Sequence, residues 1–155
     1  MLQVNVVALT ELTRMLLPPM LSRRRGKIML VASTAGFQPG PQMAVYCASK
    51  AYVLSFGEAI AYELQNSGVT VTTLCPGATE TEFAQVADAG KSALFKGLLP
   101  VMSASEVARI GYQGLKEGRG VVITGLVNKL MVTSSRLSPT PVSLRIASWM
   151  MSTGK

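Results

Sequence analysis

The sequence predicts an α/β fold, and three observations carry that prediction. Stretches with helical apolar spacing alternate with short, nearly continuous apolar runs. The short runs, at 27–32, 69–75 and 121–124, are each bounded by glycine or proline. Because a helix separates each run from the next, the strands must be joined by right-handed crossovers, so the sheet is parallel with flanking helices.

The first helix is expected over 2–21, where Val6, Leu9, Leu12, Leu16 and Met20 put one face on a core. Pro18 and Pro19 should kink its last turns, since neither supplies an N–H to the helix ladder. After the solvated Arg23–Gly26 turn, the run KIMLVA at 27–32 reads as a strand buried on both faces. A Gly/Pro-rich loop over 33–40 leads to a second helix over 45–66. Its stripe is Val53, Phe56, Ile60 and Leu64, and Gly68 is its stop signal.

The strand VTVTTLC at 69–75 ends on Pro76-Gly77. Residues 78–102 carry no long period. Ser103 and Glu106 then form a capping-box pair that opens a helix to Glu117, and Gly118 and Gly120 close it before the strand at 121–124. The segment GLKEGRG at 114–120 has a glycine spacing reminiscent of phosphate-binding turns. It follows a helix and precedes a strand, the reverse of the order such a site needs, so it reads as a helix stop. The chain thus divides into a body at 1–126 and a basic, apolar tail at 127–155, which Pro139 and Pro141 break into two pieces.

Composition narrows the function classes. A chain of 155 residues with 48% hydrophobic content is large enough for one real core. The charge is +7, but no aromatic-basic interleaving or helix-turn-helix pattern accompanies it, so nucleic acid is not an expected partner. No secretory leader and no run of eighteen apolar residues is visible, which points to a cytoplasmic protein. Cys47 and Cys75 have no metal-ligand or C-x-x-C spacing and are expected as reduced packing residues; no metal site is expected.

There is no histidine, so acid-base chemistry must use another side chain. Tyr46 and Lys50 stand four apart at the start of the second helix and share a face. At roughly 4.5 Å and an effective dielectric of about 20, an ammonium would attract a phenolate by about 3.7 kcal/mol, before desolvation subtracts. That would pull the phenol from its usual range toward neutral, where it can exchange protons with a substrate oxygen. Ser33 ends the first strand at the sheet edge where parallel α/β folds place ligands, within reach of the same oxygen.

The stretch VASTAGFQPGPQMAVYCASKAYVLSFGEAIAYELQNSGVTVTTLCPGATETEF, which holds Ser33, Tyr46 and Lys50, resembles the catalytic half of the short-chain dehydrogenase/reductase family. The likeness runs from about Leu2 to Ile123. It implies a partial Rossmann-like, doubly wound parallel sheet of about three strands. Tyr46 would be the catalytic acid/base, Lys50 would lower its pKa and bind the nicotinamide ribose, and Ser33 would polarise the substrate oxygen. Asn5, in QVNVVALTELT, would help hold a proton-relay water. Pro76, Gly77, Thr79 and Thr81, in PGATET, match the turn that cradles the nicotinamide, which together with Tyr46 and Lys50 makes the cofactor-binding set.

The resemblance further implies NADP(H), ahead of NAD(H), and a homo-oligomer formed through the helices at 2–21 and 45–66. The family's opening strand, glycine-rich turn and pyrophosphate-binding helix have no counterpart before Leu2, so the chain reads as truncated relative to the family pattern. Phe83–Pro100 corresponds to the segment that closes over substrate. Its Leu94, Phe95, Leu98 and Leu99 suggest a small apolar carbonyl or alcohol compound, or else simply pack a short helix on the core. The tail, with Leu144, Ile146, Trp149, Met150 and Met151, either docks on the body or a dimer partner or makes peripheral contact with an anionic membrane. Three functions follow: an oxidoreductase interconverting carbonyl and alcohol, a non-catalytic dimerising module that keeps the family's helices, or a membrane-surface protein.

Overall fold

The structure, a computed structural model, describes residues 1–81 and 101–151, with side chains described up to residue 148. The segment Phe83–Pro100, assigned above to substrate, therefore lies outside the described residues. The opening helix begins as a π-helical turn, Gln3–Ala8, and continues without a break into α1, Leu9–Ser22. Its irregularity thus sits at the N-terminal end, and the helix runs on through Pro18 and Pro19 to Ser22. Then follow β1 (Gly26–Val31), a 3-10 turn (Thr34–Phe37), α2 (Ala44–Glu63) and β2 (Val69–Cys75). A two-residue β3 (Thr79–Glu80) pairs in parallel with β4 (Met102–Ser103), a small ribbon that no periodicity announces. The remaining elements are α3 (Ala104–Glu117), β5 (Val121–Ile123), α4 (Leu126–Leu137) and α5 (Thr140–Met151).

The main sheet has the order β1-β2-β5 and is parallel throughout, in the register Gly26 to Val69 and Val31 to Leu74, then Thr73 to Val121 and Cys75 to Ile123. The central strand β2 is buried on both faces because alternate residues face opposite helices. Val69, Val71 and Cys75 join Leu30 of β1 and Val53, Ile60 and Leu64 in one core, on the α2 side. Leu74 packs with Val122 and with Val107 of α3 on the other side. Each aliphatic side chain so enclosed contributes about 1.5–3 kcal/mol.

β1 departs from the expectation of a strand buried on both faces. Among the described residues it has a neighbour on one side only, and Val31 is 49% exposed. The apolar run still marks a strand, but what covers its second face and edge is a matter of neighbours rather than of its own residues.

The ends of the helices follow their local chemistry. Ser103 caps α3, its Oγ accepting from Glu106 N–H at 3.2 Å, and Gly118 ends it in the left-handed region at φ 68°. Lys27 adds a cation at that terminus, Nζ donating to the Leu115 and Lys116 carbonyls. α2 stops at Glu63, three residues before its expected end, and the chain turns through Asn66 (φ 65°) and Gly68 (φ 85°). At Gly68 a Cβ would sit on the Arg24 backbone, so the turn needs glycine for space as well as for φ.

Candidate active site

The C-terminal ends of β1 and β2 are tied together, and that junction builds the site. Thr34 N–H donates to the Pro76 carbonyl at 2.9 Å, and the Ser33 hydroxyl donates to the same oxygen at 3.4 Å. Ser33 Oγ also accepts from Ala35 N–H at 3.1 Å, so the serine caps the 3-10 turn and its rotamer is held. That turn lies directly on α2: a Cβ on Gly36 would stand 2.8 Å from the backbone oxygen of Lys50. Ser33 also lies close enough to Tyr46 for its hydroxyl to draw the phenol's pKa down. Two of the residues singled out from the sequence, thirteen positions apart, thus meet in space.

Tyr46 and Lys50 share the inward face of α2, but their electrostatics differ from the sequence-based expectation. Burial pushes the Tyr46 phenol above its ordinary value, and the Ser33 hydroxyl pulls it only partly back. Lys50 does not produce the expected depression. Its Nζ lies 5.8 Å from the centre of the tyrosine ring and donates at 2.9 Å to the Val31 carbonyl, while burial lowers its own pKa. The physical reason is visible in the ladder: Ala32 N–H bonds Leu74, so Val31 faces the open edge of β1, and Lys50 satisfies its carbonyl there.

Asn5, in the π-helical turn, donates from Nδ2 to Ser49 Oγ at 3.1 Å, and Ser49 in turn donates to the Tyr46 carbonyl at 2.8 Å. Asn5 therefore reaches the turn of α2 that carries the tyrosine. Beside it, the Thr10 and Tyr52 hydroxyls bond at 2.8 Å, a second link between the opening helix and α2. Ser49, almost wholly buried, was missed by the sequence reading; a serine inside an apolar helix carries no pattern that marks it.

The Pro76-Gly77 turn lies beside Ser33, and Thr79 folds back on it, Oγ1 donating to the Gly77 carbonyl at 3.0 Å. Thr81 stands apart, exposed at the end of the described segment. Against Gly77 lies the amide of Asn128 in α4: a Cβ on Gly77 would fall 2.5 Å from its Oδ1. Asn128 is buried, with Nδ2 donating to the Thr124 carbonyl at 2.7 Å. It too was missed, since it lies in what reads as a weakly periodic tail. Cys47 and Cys75 are free and buried, and burial raises both thiols, Cys75 to about 12.

The geometry sits on a recognisable scaffold. Residues 1–92, more than half of the chain, match the family model described as short chain dehydrogenase. The chain belongs to the short-chain dehydrogenase family. The ketoacyl reductase HetN of Nostoc sp. is 34% identical over 151 residues, covering 94% of this chain and 51% of that relative. The chain thus spans about half the length of that relative. Among solved structures, a 7beta-hydroxysteroid dehydrogenase superposes with a TM-score of 0.77 at 26% identity, over 95% of this chain and 57% of the other. Two further short-chain dehydrogenases match similarly. One, from Sphingobium yanoikuyae, is in complex with NADPH (TM-score 0.70, 27% identity, 86% and 51% of the two chains). The other, from Burkholderia phymatum, is in complex with NAD (TM-score 0.71, 25% identity, 84% and 54%).

These neighbours bind nicotinamide dinucleotides of both kinds, so membership in the short-chain dehydrogenases does not by itself select NADP(H) over NAD(H). The residues present fit one end of such a group. The donor set of Tyr46 and Lys50 and the tight Pro76-Gly77 turn share one sheet edge.

Proposed function

We propose that this chain is the catalytic portion of a short-chain dehydrogenase that interconverts a carbonyl and an alcohol, with Tyr46 as acid/base. The observation that carries the reading is the approach of the Ser33 hydroxyl to the Tyr46 phenol at the C-terminal edge of a parallel sheet, where α/β folds bind their ligands. A substrate carbonyl oxygen placed between the two would accept from both. The raised pKa keeps Tyr46 protonated at neutral pH, so the phenol enters as an acid and delivers its proton to the alkoxide as charge develops there. Ser33, whose rotamer is held by Ala35, stabilises the same oxygen.

A nicotinamide dinucleotide, NADP(H) ahead of NAD(H), would supply the hydride chemistry. Lys50 would bind its ribose after releasing the Val31 carbonyl, and Pro76, Gly77, Thr79 and Thr81 would line its nicotinamide end. Asn5, through Ser49, would keep the tyrosine's turn in register. The acyl and steroid names among the relatives support a small apolar substrate, and the absence of a membrane-crossing helix among the described residues is compatible with a cytoplasmic location.

A homo-oligomer is the natural use of the outer face of the helices. Val4, Leu12 and Met15 of the first, and Val45, Tyr52 and Tyr62 of α2, are all exposed. The same apolar face supports a second reading, a dimerising module without catalysis.

The test is carbonyl reduction by a polypeptide in which this chain follows a strand, glycine-rich turn and helix able to bind dinucleotide. Tyr46→Phe keeps the ring and removes the acid, so turnover should fall at least about a hundredfold with the unfolding midpoint nearly unchanged. Turnover retained in that variant would remove Tyr46 as the acid/base, and no turnover in the parent polypeptide would leave the dimerising module.

A further inference from the structure

We propose that α4 positions the active site: Asn128 near its start sets the Pro76-Gly77 turn, and Arg136 near its end sets the 3-10 turn that follows Ser33. Both are then positioning residues for the reaction proposed above, and the inference rests on that reading. They come from the segment that reads in the sequence as a weakly periodic tail. The contacts of α4 are not those an amphipathic helix ordinarily uses. Leu126, Leu130 and Leu137 are 74%, 64% and 82% exposed, whereas Asn128 and Val132, one turn apart, are buried. A helix that leaves three leucines in solvent and buries an amide is placed by polar contacts as well as by apolar area.

The first contact is with the turn after β2. A Cβ on Gly77 would meet Nδ2, Oδ1 and Cγ of Asn128 alike, so the face of the amide lies on the glycine. The amide is itself fixed, Nδ2 donating to the Thr124 carbonyl at 2.7 Å. On either side of Gly77 the turn is tied to other elements: the Pro76 carbonyl accepts from Thr34 N–H at 2.9 Å, and the Ala78 carbonyl from Met102 N–H at 3.1 Å. Asn128 backs the point between these two ties. The second contact lies further along the same side of α4, since Asn128, Val132 and Arg136 follow at four-residue spacing. Arg136 Nη2 stands 3.8 Å from Glu58 Oε1 of α2, and its guanidinium lies over the Phe37 ring, 4.8 Å from the centre. Phe37 ends the 3-10 turn that Ser33 caps, so this cation clamps the serine's turn to the helix that carries Tyr46. The ion pair is half-exposed and adds little to stability, so its loss should move the turn without unfolding the chain. The two contacts are about 12 Å apart along the axis, and one rigid helix therefore sets the spacing of the two turns between which substrate oxygen and nicotinamide would lie.

Amide hydrogen exchange on the 155-residue chain reads the two contacts without any dinucleotide. Asn128→Ala should speed exchange at Thr34 and Met102, the donors to the Pro76 and Ala78 carbonyls, at least about fivefold more than in β2. Arg136→Met should do the same at Ala35 and Gly36, whose N–H groups bond within the 3-10 turn. In the dinucleotide-binding polypeptide of the preceding test the two variants should part. Asn128→Ala should raise KM for the dinucleotide about tenfold with kcat changed less than about threefold, whereas Arg136→Met should lower kcat about tenfold with that KM within about twofold. Arg136→Lys keeps the charge beside Glu58 but not the planar group over Phe37, so its kcat should fall between those of the parent and the methionine variant. Exchange that stays at the parent's rate in both turns, or that rises no more there than in β2, would overturn the proposal. So would variants with the parent's kinetic constants, or a loss of kcat and KM in the same proportion from both positions. These outcomes are separate from failure of the reaction itself, which the turnover of the parent polypeptide reads.

Discussion

Replacing Gly77 by alanine should cost this fold far more than one methyl group at a turn ordinarily does. Gly77 is not among the glycines with left-handed φ, so the backbone itself would accept alanine. Space is the obstacle. The new Cβ would lie 2.5 Å from Oδ1 and 2.6 Å from Cγ of Asn128, an amide that is buried and donates to the Thr124 carbonyl at 2.7 Å. Moving that amide loses a hydrogen bond worth about 1 kcal/mol and risks a dry polar group at about 1–3 kcal/mol. Overpacking adds about 1–3 kcal/mol, and because relief of one strain partly relieves the other, the sum is about 2–4 kcal/mol. In urea, with an m value of about 1–3 kcal/mol/M, the midpoint should drop by about 1–2 M. Asn128→Ala opens the space that the new Cβ needs, so in the double variant Gly77→Ala should cost at least about 1 kcal/mol less than it does alone. If Gly77→Ala unfolds at the parental midpoint, or if the two changes simply add, then Asn128 does not brace the turn and the reasoning fails.

Other consequences follow from burial and from the sheet edge. Cys75 is fully buried with its pKa raised from 9.0 to about 12, chiefly by burial, so the unfolded chain releases that proton first. Stability should therefore be intact below about pH 9 and decline as pH climbs toward 12, by about 2 kcal/mol near pH 10.5, because each displaced pKa unit is worth about 1.4 kcal/mol. Tyr46 and Cys47 act in the same sense, and Lys50, lowered by burial, acts in the opposite one. Urea midpoints across this range should decline less steeply in Cys75→Ala; an unchanged slope would count against the buried thiol as a cause. At the edge of β1, Val31→Lys places a charge at a half-exposed position on a strand that has no neighbour on that side among the described residues. Dynamic light scattering of the 155-residue chain should show associated species that this substitution reduces, and equal scattering would locate association elsewhere, on the outer face of α1 and α2 first.

Much of the site was legible before any coordinates. The Tyr46–Lys50 spacing places both on one helical face, and Ser33 had to end a strand, because helix and strand periods are local properties of the backbone. The limits of β2 and the Ser103 cap followed from the apolar run between Gly68 and Pro76 and from side-chain chemistry within one turn. The extent of α2 was overestimated, because Leu64 continues the apolar stripe after the backbone has begun to turn toward Asn66.

The sequence by itself determined that the chain alternates helices and parallel strands and that a phenol, an ammonium and a hydroxyl gather at one sheet edge. Those features depend on residue type and on spacing within a few turns. Only the tertiary structure decided what each group does there. Whether burial or a neighbouring charge governs the Tyr46 phenol depends on how far Lys50 is drawn to the Val31 carbonyl, and that depends on which strand lies beside β1. Whether Gly77 must be glycine depends on Asn128, fifty-one positions away, and whether the leucines of α4 face the core or the solvent depends on which side of that helix the Pro76-Gly77 turn occupies. Desolvation and steric exclusion are properties of the assembled neighbourhood, set by groups far apart along the chain, and no local spacing encodes them.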